Sequence, residues 1–337
     1  MNEHRSTVVV TGAAGFIGAA VAEALMKRGQ PVIGIDNMND YYDVSLKRAR
    51  LQRLKARHGN LLRFLEVDFS DMSALSAALE DTSFDSIVHL GAQAGVRYSL
   101  ENPQAYVSSN LAGHVNMLEV ARARQVGHMV YASSSSVYGG NAKLPFAVED
   151  RADHPVSLYA ATKKADELMS ETYAHLFRLP LTGLRFFTVY GPWGRPDMAM
   201  WKFAERILSD RPIDVYNHGD MQRDFTFIDA IGGGVLAWPD RPPADDGLEK
   251  AGGSVKPHAL YNIGNNRSEQ LLRLIEVLEE ACGRKAQLTM LPMQPGDVPA
   301  TFADITALTR DTGYAPSTPI EVGVPLFVNW FRNYHSR

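Results

Sequence analysis

The chain has 337 residues, 45% of them apolar, which supplies a large buried core in one broad domain or two lobes. A net charge of -4 with no long basic run makes nucleic acid an unexpected partner, and no segment is long and apolar enough to span a bilayer. The lone cysteine, Cys282, precludes an internal disulfide and fits a reducing cytoplasm, while ten histidines without ligand spacing predict no metal site.

In chain order, Met1 to Thr7 lacks the apolar stretch of a secretion signal. Thr7 to Val10 is a β-branched run suited to a central parallel strand. Thr11-Gly12-Ala13-Ala14-Gly15-Phe16-Ile17-Gly18 follows at once and passes into a helical pattern reaching Gly29. Glycines 12, 15 and 18 let the backbone turn tightly, approach a pyrophosphate and pack a helix on the sheet. The helix start at Phe16 and Ile17 offers amide donors and positive dipole to phosphates. The spacing is Gly-x-x-Gly-x-x-Gly, and its place between a first strand and a helix makes it a dinucleotide signal. The second strand, Pro31 to Asp36, ends in a carboxylate suited to an adenosine ribose and hostile to a 2′-phosphate. Asn37 follows in place of an arginine, so NAD is favoured over NADP.

Tyr41 to His58 reads as a basic insertion forming a surface helix, with Leu46, Leu51 and Leu54 beneath a charged face. The third strand, Leu62 to Asp68, leads into a helix begun by Ser70-Asp71, and Asp68 and Phe69 at its end are expected beside the adenine. Ile87 to Arg97 is a fourth strand flowing into small residues, where the backbone at Leu90 and Ala92 is expected to pass close to a cofactor. His89 is expected to be a satisfied core histidine. A helix from Ala105 to Arg124 returns the chain to Val130 to Gly139, an apolar run that breaks into hydroxyls from Ser133 to Ser136. Tyr159 and Lys163 then fall at i and i+4, on one face of a helix. Free tyrosine ionises at roughly pH 10 and is a poor base at neutrality, but a cation one turn away favours its phenolate. A serine hydroxyl beside the pair would orient a substrate and share its proton; the residues alone do not choose among the four serines. The alternation of strand and helix predicts an α/β, doubly wound parallel (Rossmann) sheet. A smaller substrate-binding lobe follows it.

With the glycine turn, the serine cluster and Tyr159-x-x-x-Lys163 in register, the chain resembles the extended short-chain dehydrogenase/reductase family. Within it, the chain is similar to UDP-glucuronate 4-epimerases through the stretches 35–43, 185–198, 214–226 and 291–297. The resemblance implies Ser134 as the catalytic hydroxyl, Tyr159 as the base, and Lys163 as the cation that also holds the nicotinamide ribose. It implies NAD-dependent epimerisation of UDP-glucuronate through a 4-keto sugar, in a cytoplasmic homodimer paired through helices at 105–124 and 157–177. A sugar carboxylate needs a cation or hydroxyl donors, and Arg195, Thr188 and Ser134, Ser135 and Ser136 are the candidates. By resemblance Arg223 meets the pyrophosphate, Val215 and Tyr216 flank the uracil, and Asp297 takes the uridine ribose. Related dehydratases need an acid pair after the catalytic hydroxyl; Ser135-Ser136 stand there, which removes elimination of water. The expected division is a cofactor domain at 1–190, joined by 227–265, and a nucleotide-sugar lobe at 191–337. Pro239 to His258, rich in proline, glycine and charge, is expected to be a mobile surface insertion, and the amphipathic tail Pro319 to Tyr334 a capping helix. The alternatives are a UDP-glucose/UDP-galactose 4-epimerase, a UDP-glucuronate decarboxylase and an NAD-binding regulatory protein.

Overall fold

The computed structural model describes residues 6–336, so the leader at 1–5 lies outside the described residues. The first half alternates as expected: β1 (Val8–Thr11), α1 (Phe16–Lys27), β2 (Val32–Asp36), α2 (Val44–His58), β3 (Leu62–Glu66), α3 (Met72–Leu79) and β4 (Ser86–His89). The helix expected over Ala105 to Arg124 is instead a broken run. It comprises α4 (Tyr98–Glu101), α5 (Pro103–Tyr106), a π-helical turn (Val107–Ala112) and α6 (Gly113–Ala123). Asn102, just before Pro103, ends one piece and caps the next, its side chain accepting from the Ala105 amide. After β5 (His128–Ser134) come α7 (Leu158–Phe177), β6 (Leu181–Phe186), β7 (Thr188–Tyr190), α8 (Ala199–Leu208), β8 (Ile213–Val215), β9 (Gln222–Phe227) and α9 (Ile228–Leu236). The chain closes with β10 (His258–Ile263), β11 (Ser268–Gln270), α10 (Leu271–Cys282), β12 (Leu288–Met290), α11 (Thr306–Thr312) and α12 (Ile320–His335).

Seven parallel strands form one sheet in the order β10-β6-β5-β4-β1-β2-β3. From β1 the chain winds outward through β2 and β3, then jumps back to β4 and winds the other way, so the carboxyl ends of β1 and β4 flank the switch point where such sheets bind ligands. The central strands are buried along their full length, Val8 to Val10 and Ile87-Val88 among them, because helices cover both faces. Strand β10 brings residues 258–263 back to the sheet edge beside β6. The β7–β9–β11 and β8–β12 sheets, with α8, α10 and α12, pack around Trp201, Phe203, Leu274, Phe327 and Phe331 in a core continuous with that under the large sheet. The segment before β10 is tied down at its end, where Ser254 donates to Glu171 and the Leu260 amide to the Ala251 carbonyl.

His128 begins β5 in a fully enclosed setting, one ring nitrogen 3.0 Å from the Trp238 carbonyl and the other 2.9 Å from the Thr182 hydroxyl. Burial pushes its pKa down to about 4, below the roughly 6.5 of an unfolded histidine. The unfolded chain therefore takes up this proton first. The stability that neutral His128 contributes is complete at neutral pH and is lost as pH falls from about 6.5 toward 4. Replacing His128→Gln, which keeps neutral donors and acceptors, is expected to reduce the stability lost between about pH 7 and about pH 5 by about 2 kcal/mol. Urea unfolding at the two pH values measures it; equal losses in both proteins would refute the assignment.

Candidate active site

A cleft of about 1040 Å³ opens over the carboxyl ends of the strands and runs from the glycine turn to the β9–β11 region. It is large enough for two ligands end to end. At one end, Gly12 adopts φ +68 and a β-carbon there would stand 2.9 Å from the Gly91 amide nitrogen; one on Gly18 would stand 2.0 Å from the Gly12 carbonyl oxygen. Only glycine permits this turn. Helix α1 then starts with Gly15 at its N-cap, no side chain capping it and no acid in its first turn. Its leading amides are left for an anion. Thr11 locks the two sides of the switch point together: its hydroxyl shares a 2.7 Å hydrogen bond with His89 Nδ1 and accepts from the Gly91 amide at 2.9 Å. His89 is thus a satisfied core histidine, held neutral by burial and the Lys163 charge at a pKa of about 3.

Asp36 ends β2 at the cleft wall and accepts from the Ala14 amide (3.1 Å) and the Met38 amide (2.9 Å), leaving lone pairs for hydroxyl donors. The turn and this carboxylate fit a dinucleotide. Asn37, Leu90, Ala92, Phe16, Ile17 and Gly15 also line the cleft. Asp68 does not. Its oxygens accept from the Ser70 amide and hydroxyl and from the Asn37 side chain, the last at 2.9 Å, so it positions Asn37. Phe69 touches the cleft but is mostly buried, packed edge-on against His89 and under Gly91 and Gly113.

Ser134 ends β5, Ser135 and Ser136 turn beneath it, and Tyr159 and Lys163 face the same space from α7. Ser157 starts that helix by accepting from the Ala160 amide, which sets Tyr159 in the first turn. Ser134 Oγ accepts from the Ser136 amide at 3.1 Å, which leaves its proton to point elsewhere. Ser133, by contrast, is committed to Glu167 at 2.7 Å. Lys163 Nζ donates to the Ala132 carbonyl (3.0 Å) and to Asp166 Oδ2 (2.9 Å). The π-helical turn before α6 aims Asn110 inward, where it brackets the Gln93 backbone and donates to Thr162 on α7 at 3.0 Å. Tyr106 packs edge-on against Tyr159, ring centres 6.1 Å apart.

On the facing wall, Arg195 grips Asp197 in a two-point contact through Nε (2.9 Å) and Nη2 (2.5 Å), and Tyr41 donates to Asp197 at 3.2 Å. Burial and the Asp197 carboxylate both push the Tyr41 hydroxyl well above the usual tyrosine range, so it remains a donor. Nη1 of Arg195 has no partner among the described residues and is left for an incoming anion. Arg223 and Asp297, expected to serve separate parts of a ligand, instead pair with each other at 2.8 Å. Thr188 and Tyr216 line the cleft, and Arg97 lies 5.1 Å over the Tyr216 ring. On the short strand β8 the Val215 side chain shares the inward face with Ile213 and is fully buried, while Asp214 and Tyr216 line the cleft on either side of it.

Helix α2 keeps the expected exposed face at Arg48, Gln52, Lys55 and Arg57 over the buried Leu46, Leu51 and Leu54, but its Lys47 and Arg50 are buried against the cleft wall. Lys47 Nζ stands 3.6 Å from Asp36, and Arg50 donates to the carbonyls of Ala14, Trp193 and Gly194 and to the Tyr42 hydroxyl. One guanidinium thus fastens the loop after β7 to the glycine turn. Arg50, Tyr41, Arg97, Asn110 and Asp197 escaped sequence reasoning. The one local signal was the run of aromatics and acids at 40–43, which marks a loop with something to hold.

A family model described as the NAD dependent epimerase/dehydratase family matches residues 8–244. A probable UDP-glucuronate 4-epimerase of Rhizobium meliloti (strain 1021) is 48% identical over 97% of this chain and 97% of its own length. UDP-glucuronate 4-epimerase 1 of Arabidopsis thaliana is 46% identical over 98% of this chain and 79% of its own length. Among solved structures, the UDP-glucuronic acid 4-epimerase from Bacillus cereus, in complex with UDP-glucuronic acid and NAD, superposes with a TM-score of 0.87 at 31% identity, covering 97% of this chain and 99% of that one.

The bridging role of Arg50 makes a direct prediction. Arg50→Met leaves three backbone carbonyls without their donor and is expected to cost about 3 kcal/mol or more of folding stability. It should also expose the loop at 191–198 to proteolysis before global unfolding. Equilibrium unfolding with limited proteolysis tests both, and an unchanged cleavage pattern would remove the bridging role.

Proposed function

The chain belongs to the NAD dependent epimerase/dehydratase family, and from that premise we propose that it interconverts UDP-glucuronate and UDP-galacturonate by epimerisation at carbon 4 of the sugar. The observation that carries this reading is a single cleft. It holds the glycine turn and brings Ser134, Tyr159 and Lys163 together with the cations Arg195 and Arg223 along one lining. The amides opening α1 would hold the NAD pyrophosphate and Asp36 the adenosine ribose. Bound there, NAD supplies reversible hydride acceptance.

The residues of the chain manage the proton and the geometry. Tyr159 takes the proton of the sugar 4-hydroxyl and later returns it, with Ser134 donating to the sugar oxygen and Lys163 supplying positive charge beside both. The sugar must present first one face and then the other, so UDP is held firmly, by Arg223, Asp297 and Tyr216, while the sugar is held loosely. An acid sugar brings its own hazard. A ketone at carbon 4 is β to the carboxylate, and such acids lose carbon dioxide when the breaking bond stands perpendicular to the carbonyl. Arg195 Nη1, Thr188 and the hydroxyls of Ser135 and Ser136 fix the carboxylate against that alignment as well as recognising it.

Homodimerisation is part of the same proposal. Val107, with Leu168, Leu176 and Phe177 on α7, are exposed apolar side chains on the helices expected to pair. Light scattering at micromolar concentration should give twice the chain mass; a monomer would remove this part. No helix among the described residues is long and apolar enough to cross a membrane. A cytoplasmic setting is proposed from the lone thiol, Cys282, which burial pushes up to about 11.

The decisive experiment gives the NAD-loaded protein UDP-glucuronate and resolves the products. UDP-galacturonate is expected. Carbon dioxide in its place would mean decarboxylation, and turnover of UDP-glucose alone would mean a neutral-sugar enzyme. In the same assay Tyr159→Phe should lower turnover by roughly 10²–10⁴-fold with NAD still bound. Arg195→Met should weaken UDP-glucuronate by roughly 10–100-fold while sparing UDP binding. Full activity in Tyr159→Phe would overturn the mechanism.

A further inference from the structure

Three residues after Lys163, on the same face of α7, stands an acid that the proposed chemistry does not use. Asp166 is completely buried, with Oδ2 2.9 Å from Lys163 Nζ and Oδ1 without a hydrogen-bond partner among the described residues. We propose that Asp166 is a positioning residue for the Tyr159 reaction: its carboxylate is the built-in counter-ion of Lys163 and sets how much of the ammonium's charge acts on the phenol. This inference rests on Tyr159 being the base.

The geometry favours a charge role over mere space-filling. An asparagine at this position would accept the same hydrogen bond at no electrostatic cost, whereas a buried carboxylate is expensive unless a cation demands it. Lys163 has three donors; Ala132 O and Asp166 take two, so the head is aimed and its third proton faces the cleft. The other charged groups packed around the pair are accounted for. On α7, Glu167 is held by Arg185 through two hydrogen bonds (2.7 and 2.9 Å) and by Lys164 at 3.2 Å. His89 on β4 and His114 on α6 are held neutral by burial. Tyr131 on β5 and Tyr106 on α5 are kept protonated, burial being the main cause in each. Tyr131 shares its hydroxyl with His258 on β10, whose other ring nitrogen meets Glu171. Arg195, across the cleft, is balanced by Asp197. The Lys163–Asp166 pair is therefore the adjustable charge facing the phenol.

Burial raises the Asp166 pKa to about 6, against the pull of Lys163. Ionised at neutral pH, the carboxylate offsets part of the ammonium. Protonated, it no longer offsets the ammonium, so the pair's charge depends on the state of Asp166.

The test needs no substrate. The phenolate absorbance of the NAD-loaded protein is titrated, and the signal of Tyr159 is isolated by subtracting the Tyr159→Phe protein; the same is done in the Asp166→Asn background. The expected result is a Tyr159 midpoint about half to one pH unit lower in Asp166→Asn, the size of one unit charge acting across a partly polar gap. The acid limb of the turnover profile should move by the same amount. Asp166→Ser, which removes the charge with less bulk, should show the same shift and covers the case in which Asp166→Asn does not fold. Coincident midpoints, or a shift to higher pH, would overturn the counter-ion role even if Tyr159 is the base. Full turnover in Tyr159→Phe would instead sink the reading beneath it.

Discussion

A β-carbon on Gly12 would lie 2.9 Å from the Gly91 amide nitrogen, and this approach of two bare backbones is the constraint from which the cleft takes its form. It brings the turn after β1 against the turn after β4 at the place where the sheet's winding reverses. Thr11 then ties both turns with one hydroxyl, through His89 Nδ1 and the Gly91 amide. Nothing bulky stands between the turns, so α1 can point its unpaired amides at whatever lies above them. Everything farther along the cleft is placed relative to that floor. Arg50 carries the register across by joining the Ala14 carbonyl to those of Trp193 and Gly194. A change in the glycine turn is thereby a change in the position of Arg195.

Four cations of the cleft are each paired with a carboxylate: Lys47 with Asp36, Lys163 with Asp166, Arg195 with Asp197, Arg223 with Asp297. A lone cation in a partly buried cleft would bind an anion strongly but would carry a large desolvation cost without one. Pairing each cation with a carboxylate lowers that cost and leaves unused donors, such as Arg195 Nη1, for a ligand. The arrangement also restrains affinity, because an incoming anion shares each cation instead of owning it. For a reaction in which the sugar must let go and turn, moderate attraction at its carboxylate is the more useful design.

Much of this was legible because it is local. The glycine turn, Asp36 at the end of β2, the serine run at 133–136 and the Tyr159–Lys163 pair are fixed by spacings within a few turns or strand steps, with only the family resemblance singling out Ser134, and strand–helix alternation then predicts the sheet. What escaped reading depends on partners far apart in the chain. Nothing in Lys47-Arg48-Ala49-Arg50 distinguishes the exposed Arg48 from the buried Arg50; the difference lies at Trp193 and Gly194, which fold against it. The bonds from Ser70 and Asn37 to Asp68 were not legible from its place at a strand end. The burial of Val215 was legible: two-residue alternation places Ile213 and Val215 together on the inward face of β8. The break in the helix after β4 was partly written too, since Asn102-Pro103 stops one helix and starts another, but the π-helical turn that directs Asn110 follows from packing on α7.

The placement of anchors bears on how an epimerisation would be organised. Ser134, Tyr159 and Lys163 rise from the seven-stranded sheet, whereas Arg223, Asp297 and Tyr216 belong to the later elements around β9, β8 and the loop after β12. Groups proposed to act on the sugar and groups proposed for the nucleotide thus stand on different sheets over one continuous core, with Arg50 and the Tyr41–Asp197 contact adding polar ties near the cleft. Rotation about the link between sugar and pyrophosphate leaves the second set undisturbed and alters only contacts made by the first. Hydroxyls meet that demand better than a forked cation would, because each can re-aim its single proton at whichever oxygen the turned sugar presents. Three serines and a threonine around one tyrosine are, on this reasoning, the polar lining that a substrate with two productive poses requires.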